Sequence, residues 1–194
     1  MNRSLRISVA DDEPDMREYF RKMLSHLGHE VVSAACHGRE LIEQCRKFQP
    51  DLVITDIVMP ELDGIEAASQ LYQERPVPII VVSGHHDAEF VERAETAHIL
   101  AYLVKPIKLT DLQPAIGIAV RRFEQFQALH QEAHDLRQAL EDRKLIEKAK
   151  GILMKRADLD EQQAFRRLQK LASEKNRKLV DIAHAIITAE EAMM

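Results

Sequence analysis

The sequence predicts a doubly wound parallel α/β domain followed by a coiled-coil helix and a small three-helix bundle. Three observations carry this. Five short β-rich runs alternate with helical patterns up to about residue 108, and such alternation builds a parallel sheet covered on both faces. After Pro106 the strand-like runs stop. Between Gly117 and Gly151 neither Gly nor Pro occurs, which permits one long helix.

The runs are "LRISVA" (5–10), "EVVSAA" (30–35), "DLVITDI" (51–57), "PIIVVSG" (78–84) and "AYLVKP" (101–106). Between the first two, Phe20, Met23, Leu24 and Leu27 recur at helical spacing, and Gly28 closes the helix. In "GRELIEQCRKF", Leu41, Ile42, Cys45 and Phe48 share one face. "GIEAASQLYQE" and "DAEFVERAETA" fill the remaining gaps as helices.

Beyond Pro106, Thr110 is expected as an N-cap with Gln113 closing a capping box. Pro114 then falls near the first turn, where a helix tolerates it. Ala119, Phe126, Ala133 and Leu140 form one seven-residue series, and Leu129 and Leu136 another, which Arg122 interrupts. Phe126, Leu129, Leu136 and Leu140 are therefore expected in a dimer seam; a helix packed on its own domain is the other reading. Near Leu140 the stripe shifts to Leu145, Ala149, Ile152 and Leu153. A second helix has Asp160 as N-cap, Gln163 at N3, and Ala164, Phe165, Leu168, Leu171 and Ala172 on its core face. A third carries Leu179, Ile182, Ala183, Ile186 and Ile187. Gly151 lies inside a helix, at about 1 kcal/mol relative to Ala, and close helix packing is the expected reason. The boundaries expected are 1–120, 121–138 and 139–194.

Composition narrows the function classes. No apolar run reaches the roughly 18 residues of a membrane span, and "MNRSLRISVADD" turns acidic too early for a secretory signal. Cys36 and Cys45 are the only cysteines, and small thiols in a reducing cytoplasm are expected. The net charge of -5 hides an asymmetry: residues 1–142 carry -9, residues 143–178 carry +7, and the rest -3. A basic block on an acidic chain suggests a polyanionic partner. Arg143 and Lys150 lie on one helical stripe with Glu147, and Lys144, Lys148 and Lys155 on the adjoining one. These five cations are the candidate polyanion contacts; a solvated face with local ion pairs is the alternative.

The chemistry gathers at strand ends. Asp11 and Asp12 follow the first run, Asp56 ends the third, Ser83 the fourth and Lys105 the fifth. In a doubly wound sheet these ends meet at one edge. Clustered carboxylates repel and call for a cation, and oxygen ligands at an open edge suit Mg²⁺. With a Lys and a Ser opposite, Asp56 reads as a nucleophile toward a phosphoryl group.

"VADDEP", "ITDIVMPELDG", "VVSG" and "AYLVKP" resemble the receiver domain of two-component response regulators, which implies a flavodoxin-like fold. The resemblance implies that Asp56 is the phosphoacceptor and that Asp12, Asp56 and the Val58 carbonyl bind Mg²⁺, Asp11 acting through water. It also implies that Ser83 and Lys105 contact the phosphoryl group, that Tyr102 is an aromatic switch and that Pro106 follows a cis bond. Two departures stand near the fifth run: His98 and Ile99 replace a usual Gly-Ala pair, and Ile107 replaces an aromatic. Residues 139–187, with "RKLIEKAKGILM", "EQQAFRRL" and "LVDIAHAII", resemble the ANTAR domain, a three-helix RNA-binding module of antitermination regulators. The joint expectation is a cytoplasmic regulator, not an enzyme, phosphorylated by a sensor histidine kinase and binding RNA hairpins as a homodimer. A DNA-binding regulator, or a phosphorelay or protein-interaction module, remains the alternative.

Overall fold

The computed structural model describes residues 3–84 and 99–192. The chain forms two compact units, residues 1–127 and 128–194. The expected helix over residues 87–97, the pair His85 and His86, His98, and the Met193–Met194 tail lie outside the described residues.

In the first unit the order is β1 (Arg6–Ala10), α1 (Pro14–His26), β2 (Glu30–Ala35), α2 (Gly38–Phe48), β3 (Leu52–Asp56), α3 (Gly64–Glu74), β4 (Ile79–Ser83) and β5 (Ala101–Val104). All pairings are parallel, in the order β2-β1-β3-β4-β5. Strand order reverses at β1, which has β2 on one side and β3 on the other. The crevice beyond a sheet opens at such a switch point, so the residues just after β1 and β3 face it.

Side-chain alternation sorts the core into two faces. Val53 of β3 joins Ile79, Val81 and the helix residues Leu41, Ile42, Ile65 and Leu71. Leu52 and Ile54 join Ile7, Val9, Ile80 and Val82 under Phe20, Met23 and Leu24. Full burial of side chains of this size contributes about 1.5–3 kcal/mol each. Helix α1 ends in a Schellman motif: Gly28 (φ +82°) donates to Ser25 O, and His29 N donates to Leu24 O at 2.9 Å.

A 49-residue helix, α4 (Leu109–Ala157), follows. It starts earlier than expected. Leu112 N donates to Lys108 O, so Thr110 sits within the first turn and is not the N-cap. Burial of Leu112, Ala115, Ile116 and Ala119 in the face shared with α1 sets this start. Pro114 is inside the helix. Ala119 is consumed by this core, which removes it from the heptad series.

In the second unit, the later part of α4 packs with α5 (Glu161–Lys175) and α6 (Leu179–Glu191). Asp160 and Gln163 form the expected capping box. Ala149, Leu168, Ile182, Ala183 and Ile187 are the buried centre. Two expectations are corrected. Phe165 is 37% exposed, with the Lys150 ammonium 6.0 Å from its ring centroid; it is not a core residue. A Cβ on Gly151 would meet nothing within 4 Å, so no close helix approach explains that glycine. Among the described residues, no helix is long and apolar enough to cross a membrane.

Candidate functional site

The sheet edge gathers the expected acids. Asp11, Asp12 and Asp56 each offer a carboxylate oxygen within 4.8 Å of the others. Asp56 is held by strand pairing opposite Val82, and Asp11 N donates to Ala35 O at 3.1 Å. Asp11 and Asp56 are buried while Asp12 is exposed. Lys105 reaches back from beyond β5: its Nζ donates to Asp56 Oδ2 at 2.6 Å and Asp11 Oδ2 at 3.0 Å, and lies 3.7 Å from Glu13 Oε1.

Burial pushes the Asp11 carboxyl above its ordinary range, against the hydrogen bonds from Lys105 and the Glu13 amide. Burial pulls Lys105 down, but its bonds to Asp56 and Asp11 win and its pKa is raised. Three carboxylates against one ammonium leave an excess of two negative charges. That excess and the all-oxygen donor set fit a hard divalent cation.

Ser83 and Lys105 meet at the strand ends, while Tyr102 and Ile107 pack into the two cores. Ser83 is buried at the end of β4, and its carbonyl accepts from Lys105 N at 2.8 Å. The Lys105–Pro106 bond is cis. Val58 is exposed, and its amide approaches Asp56 Oδ1 at 3.4 Å. Tyr102 is half-buried and, with Ile99, packs against the cluster containing Val81. Ile107 is buried, and its carbonyl accepts from Tyr19 Oη at 2.7 Å.

Two contributors were not anticipated. Arg17 Nη1 donates to the carbonyls of Asp11 at 2.6 Å and Asp12 at 3.0 Å, bracing the acidic loop from the first turn of α1. A cation there opposes the helix dipole, which was the available signal that Arg17 is used elsewhere. Gly64 is the second. A Cβ on it would stand 1.9 Å from Asp56 O, and Gly64 N donates to Ile57 O at 2.8 Å. Only a glycine lets α3 start this close to the backbone of Asp56.

The basic block divides. Lys150 is 7% exposed and donates to Glu147 at 2.9 Å and to Glu161 at 2.8 Å, and those carboxylates raise its pKa, Glu161 foremost. Lys144 pairs with Glu141 at 2.8 Å and Lys148 with Glu191 at 2.9 Å. Arg156 pairs with Glu190 at 2.8 Å. Arg143 and Lys155 are exposed and form no ion pair among the described residues. Phe126, Leu129, Leu136 and Leu140 are all exposed on α4, Leu129 and Leu136 at 65%.

A parallel five-stranded sheet with this acid cluster, Lys105 and the cis bond has the architecture of a signalling module of the receiver class. Comparison with known proteins makes this specific. Residues 7–117 match the response regulator receiver domain and residues 134–187 match the ANTAR domain. The chain belongs to the two-component response regulators that join a receiver to an ANTAR domain. It is similar to the transcriptional regulatory protein PdtaR of Mycobacterium tuberculosis, at 40% identity over 94% of this chain and 89% of that one. The receiver domain of the putative response regulator NarL from M. tuberculosis superposes with a TM-score of 0.58 at 26% identity, covering 62% of this chain and 98% of that one. A CheY-like receiver protein from Methanospirillum hungatei gives a TM-score of 0.59 at 25% identity, covering 63% and 98%. These relationships make the chain a regulator of transcription.

Proposed function

We propose that Asp56 is the phosphoacceptor and that the ANTAR unit binds RNA hairpins when Asp56 is phosphorylated, favouring antitermination. The observation that carries the reading is the pair of hydrogen bonds that Lys105 Nζ donates to Asp56 and Asp11. It aims one ammonium at the carboxylate that would take the phosphoryl group.

An Asp56 carboxylate oxygen attacks the phosphorus of a kinase phosphohistidine. The P–N bond breaks, the imidazole leaves with the electron pair and takes up a proton, and an acyl phosphate forms. Asp12, Asp56 and the Val58 carbonyl, with Asp11 through water, would hold Mg²⁺, which would supply charge neutralisation at the transferring group. Lys105 exchanges its bond to Asp56 for one to a phosphoryl oxygen, the Ser83 hydroxyl follows, and Tyr102 turns inward to alter the face around β4 and β5. The active form is a homodimer through Phe126, Leu129, Leu136 and Leu140 on α4.

On the RNA side, Arg143 and Lys155 supply the readily available charge of the five cations picked out from the sequence, while Lys144 and Lys148 must first leave their carboxylates. Lys150 is engaged inside the unit. Arg166, Arg167, Arg177 and Lys178, exposed on α5 and the following turn, extend the available basic surface.

The test is a titration of one RNA hairpin and a DNA duplex of the same sequence, at matched salt, with phosphorylated and unphosphorylated protein. Site coupling is typically about 1–3 kcal/mol, or roughly 5–150-fold. The phosphorylated form is expected to bind the hairpin at least several-fold tighter, Asp56→Ala to lose that gain, and the duplex to bind weakly. Equal hairpin affinity in both phosphorylation states refutes the coupling, and preference for the duplex refutes the RNA reading.

A further inference from the structure

A second set of metal-binding side chains lies outside the oxygen cluster, in the turn from β2 into α2. Cys36, His37 and Glu40 each offer one donor atom, sulfur, imidazole nitrogen or carboxylate oxygen, within 4.8 Å of the others. We propose that these three residues form a binding site for a borderline divalent metal of the Zn²⁺ type.

Two of the donor atoms are already in contact and would part slightly to admit an ion. Cys36 Sγ lies 3.1 Å from Glu40 Oε2, whereas tetrahedral Zn²⁺ bond lengths set a sulfur–oxygen separation of about 3.6 Å. The carboxylate is fixed in place. Its Oε2 accepts the Cys36 backbone N–H at 2.8 Å, and its Oε1 accepts Gln44 Nε2 at 2.8 Å. His37 Nδ1 accepts the Glu40 amide at 3.2 Å as the cap of α2, a bond that ligation through Nδ1 would replace. A fourth donor is at hand: Glu61 Oε2 is 3.8 Å from His37 Nδ1.

The donor chemistry selects the ion. A thiol and an imidazole beside one carboxylate suit Zn²⁺ and its transition-metal neighbours, whereas Mg²⁺ takes oxygens. The Glu40 carboxyl is held below its ordinary range, first by the Cys36 amide, so its charge is in place before any metal arrives. The thiol, hydrogen-bonded to Glu40, releases its proton to solvent on ligation.

The turn also touches the loop that follows Asp56. Gly38 N donates to Leu62 O at 3.0 Å, and a Cβ on Gly38 would stand 2.5 Å from that oxygen. An ion that recruits Glu61 therefore fastens the turn after β2 to the loop after β3.

A purely structural role is available to the same residues, because Glu40 reaching back to the Cys36 amide resembles a capping box. That role needs the Cys36 N–H and a side-chain donor that a serine hydroxyl also supplies, whereas metal binding needs the sulfur, and this separates the two readings. The experiment uses the metal-free full chain with Mg²⁺ in excess to fill the oxygen cluster, titrated with Co²⁺ as probe. One equivalent of Co²⁺ is expected, with a thiolate-to-cobalt charge-transfer band that Zn²⁺ abolishes by displacement. Cys36→Ser is expected to lose the band while still being phosphorylated by a small acyl phosphate donor, which shows that it is folded. Glu40→Gln is expected to weaken binding by about tenfold or more, and Asp56→Asn to leave the band unchanged. No charge-transfer band in the wild type, a band that survives Cys36→Ser, or Co²⁺ binding that disappears only with Asp56→Asn would each overturn the proposal.

Discussion

Lys105 Nζ stands 2.6 Å from Asp56 Oδ2, joining two residues that are 49 positions apart in the chain. It sets an ammonium among the acids of the cleft, and it holds the oxygen expected to react. Lys105→Ala removes positive charge from the cluster, so Mg²⁺ is expected to bind several-fold more tightly, not less. Asp12→Ala takes away a carboxylate and is expected to weaken Mg²⁺ and abolish acyl-phosphate formation. Calorimetric Mg²⁺ titration and phosphodonor labelling check both; unchanged labelling of Asp12→Ala contradicts its assignment.

Two glycines predict opposite responses to the same substitution. Gly64→Ala drives a methyl group into the Asp56 carbonyl and is expected to destabilise the receiver by about 1–3 kcal/mol, with slower phosphorylation. Gly151→Ala places its methyl in open space and is expected to stabilise the second unit by about 1 kcal/mol. Urea unfolding of the two variants reads both effects. If Gly151→Ala also lowers hairpin affinity, that glycine admits RNA.

His29 carries a pH dependence. Its Nδ1 accepts the Leu5 amide at 3.2 Å, and burial lowers its pKa below the ordinary value. The unfolded chain therefore holds more protons than the folded one just below about pH 6.5. Stability is expected to be full above that pH and to fall as pH drops through it toward the folded value. His29→Gln is expected to flatten the slope in denaturation series between pH 7 and 5; an unchanged slope assigns it to other groups.

Leu129→Asp with Leu136→Asp tests the seam. Both leucines are exposed in the single chain, so the monomer is expected to keep its thermal stability and its phosphorylation. Dimer formation and hairpin affinity are expected to fall, as read by sedimentation and titration. A phosphorylated wild type that stays monomeric at micromolar concentration with RNA present contradicts the seam.

Strands and acids were legible in the sequence because period-2 burial and strand-end chemistry are local signals. Leu52, Val53 and Ile54 alternate between two cores, and Asp56 interrupts that run where a buried carboxylate needs a reason. What escaped depends on three-dimensional neighbours. Thr110 had the composition of an N-cap, but tertiary burial of Leu112 and Ala115 moved the helix start. Phe165 fitted an apolar stripe, yet the core centres on Leu168, Ala149 and Ala183 and leaves its ring beside Lys150. Arg17 has no motif, and its bonds to two carbonyls emerge only once α1 folds back over the acidic loop.

The carboxylates that pair with Lys144, Lys148 and Arg156 make the basic surface its own first competitor. A polyanion that offers only scattered negative charge gains little by displacing Glu141, Glu190 and Glu191, since each contact to Lys144, Lys148 or Arg156 breaks an existing one. A ligand whose phosphates fall where several of these lysines and arginines can turn together recovers more than it displaces. On the proposed RNA-binding role, these acidic residues would act as built-in decoys, raising the threshold for random nucleic acid and favouring a ligand of matching shape.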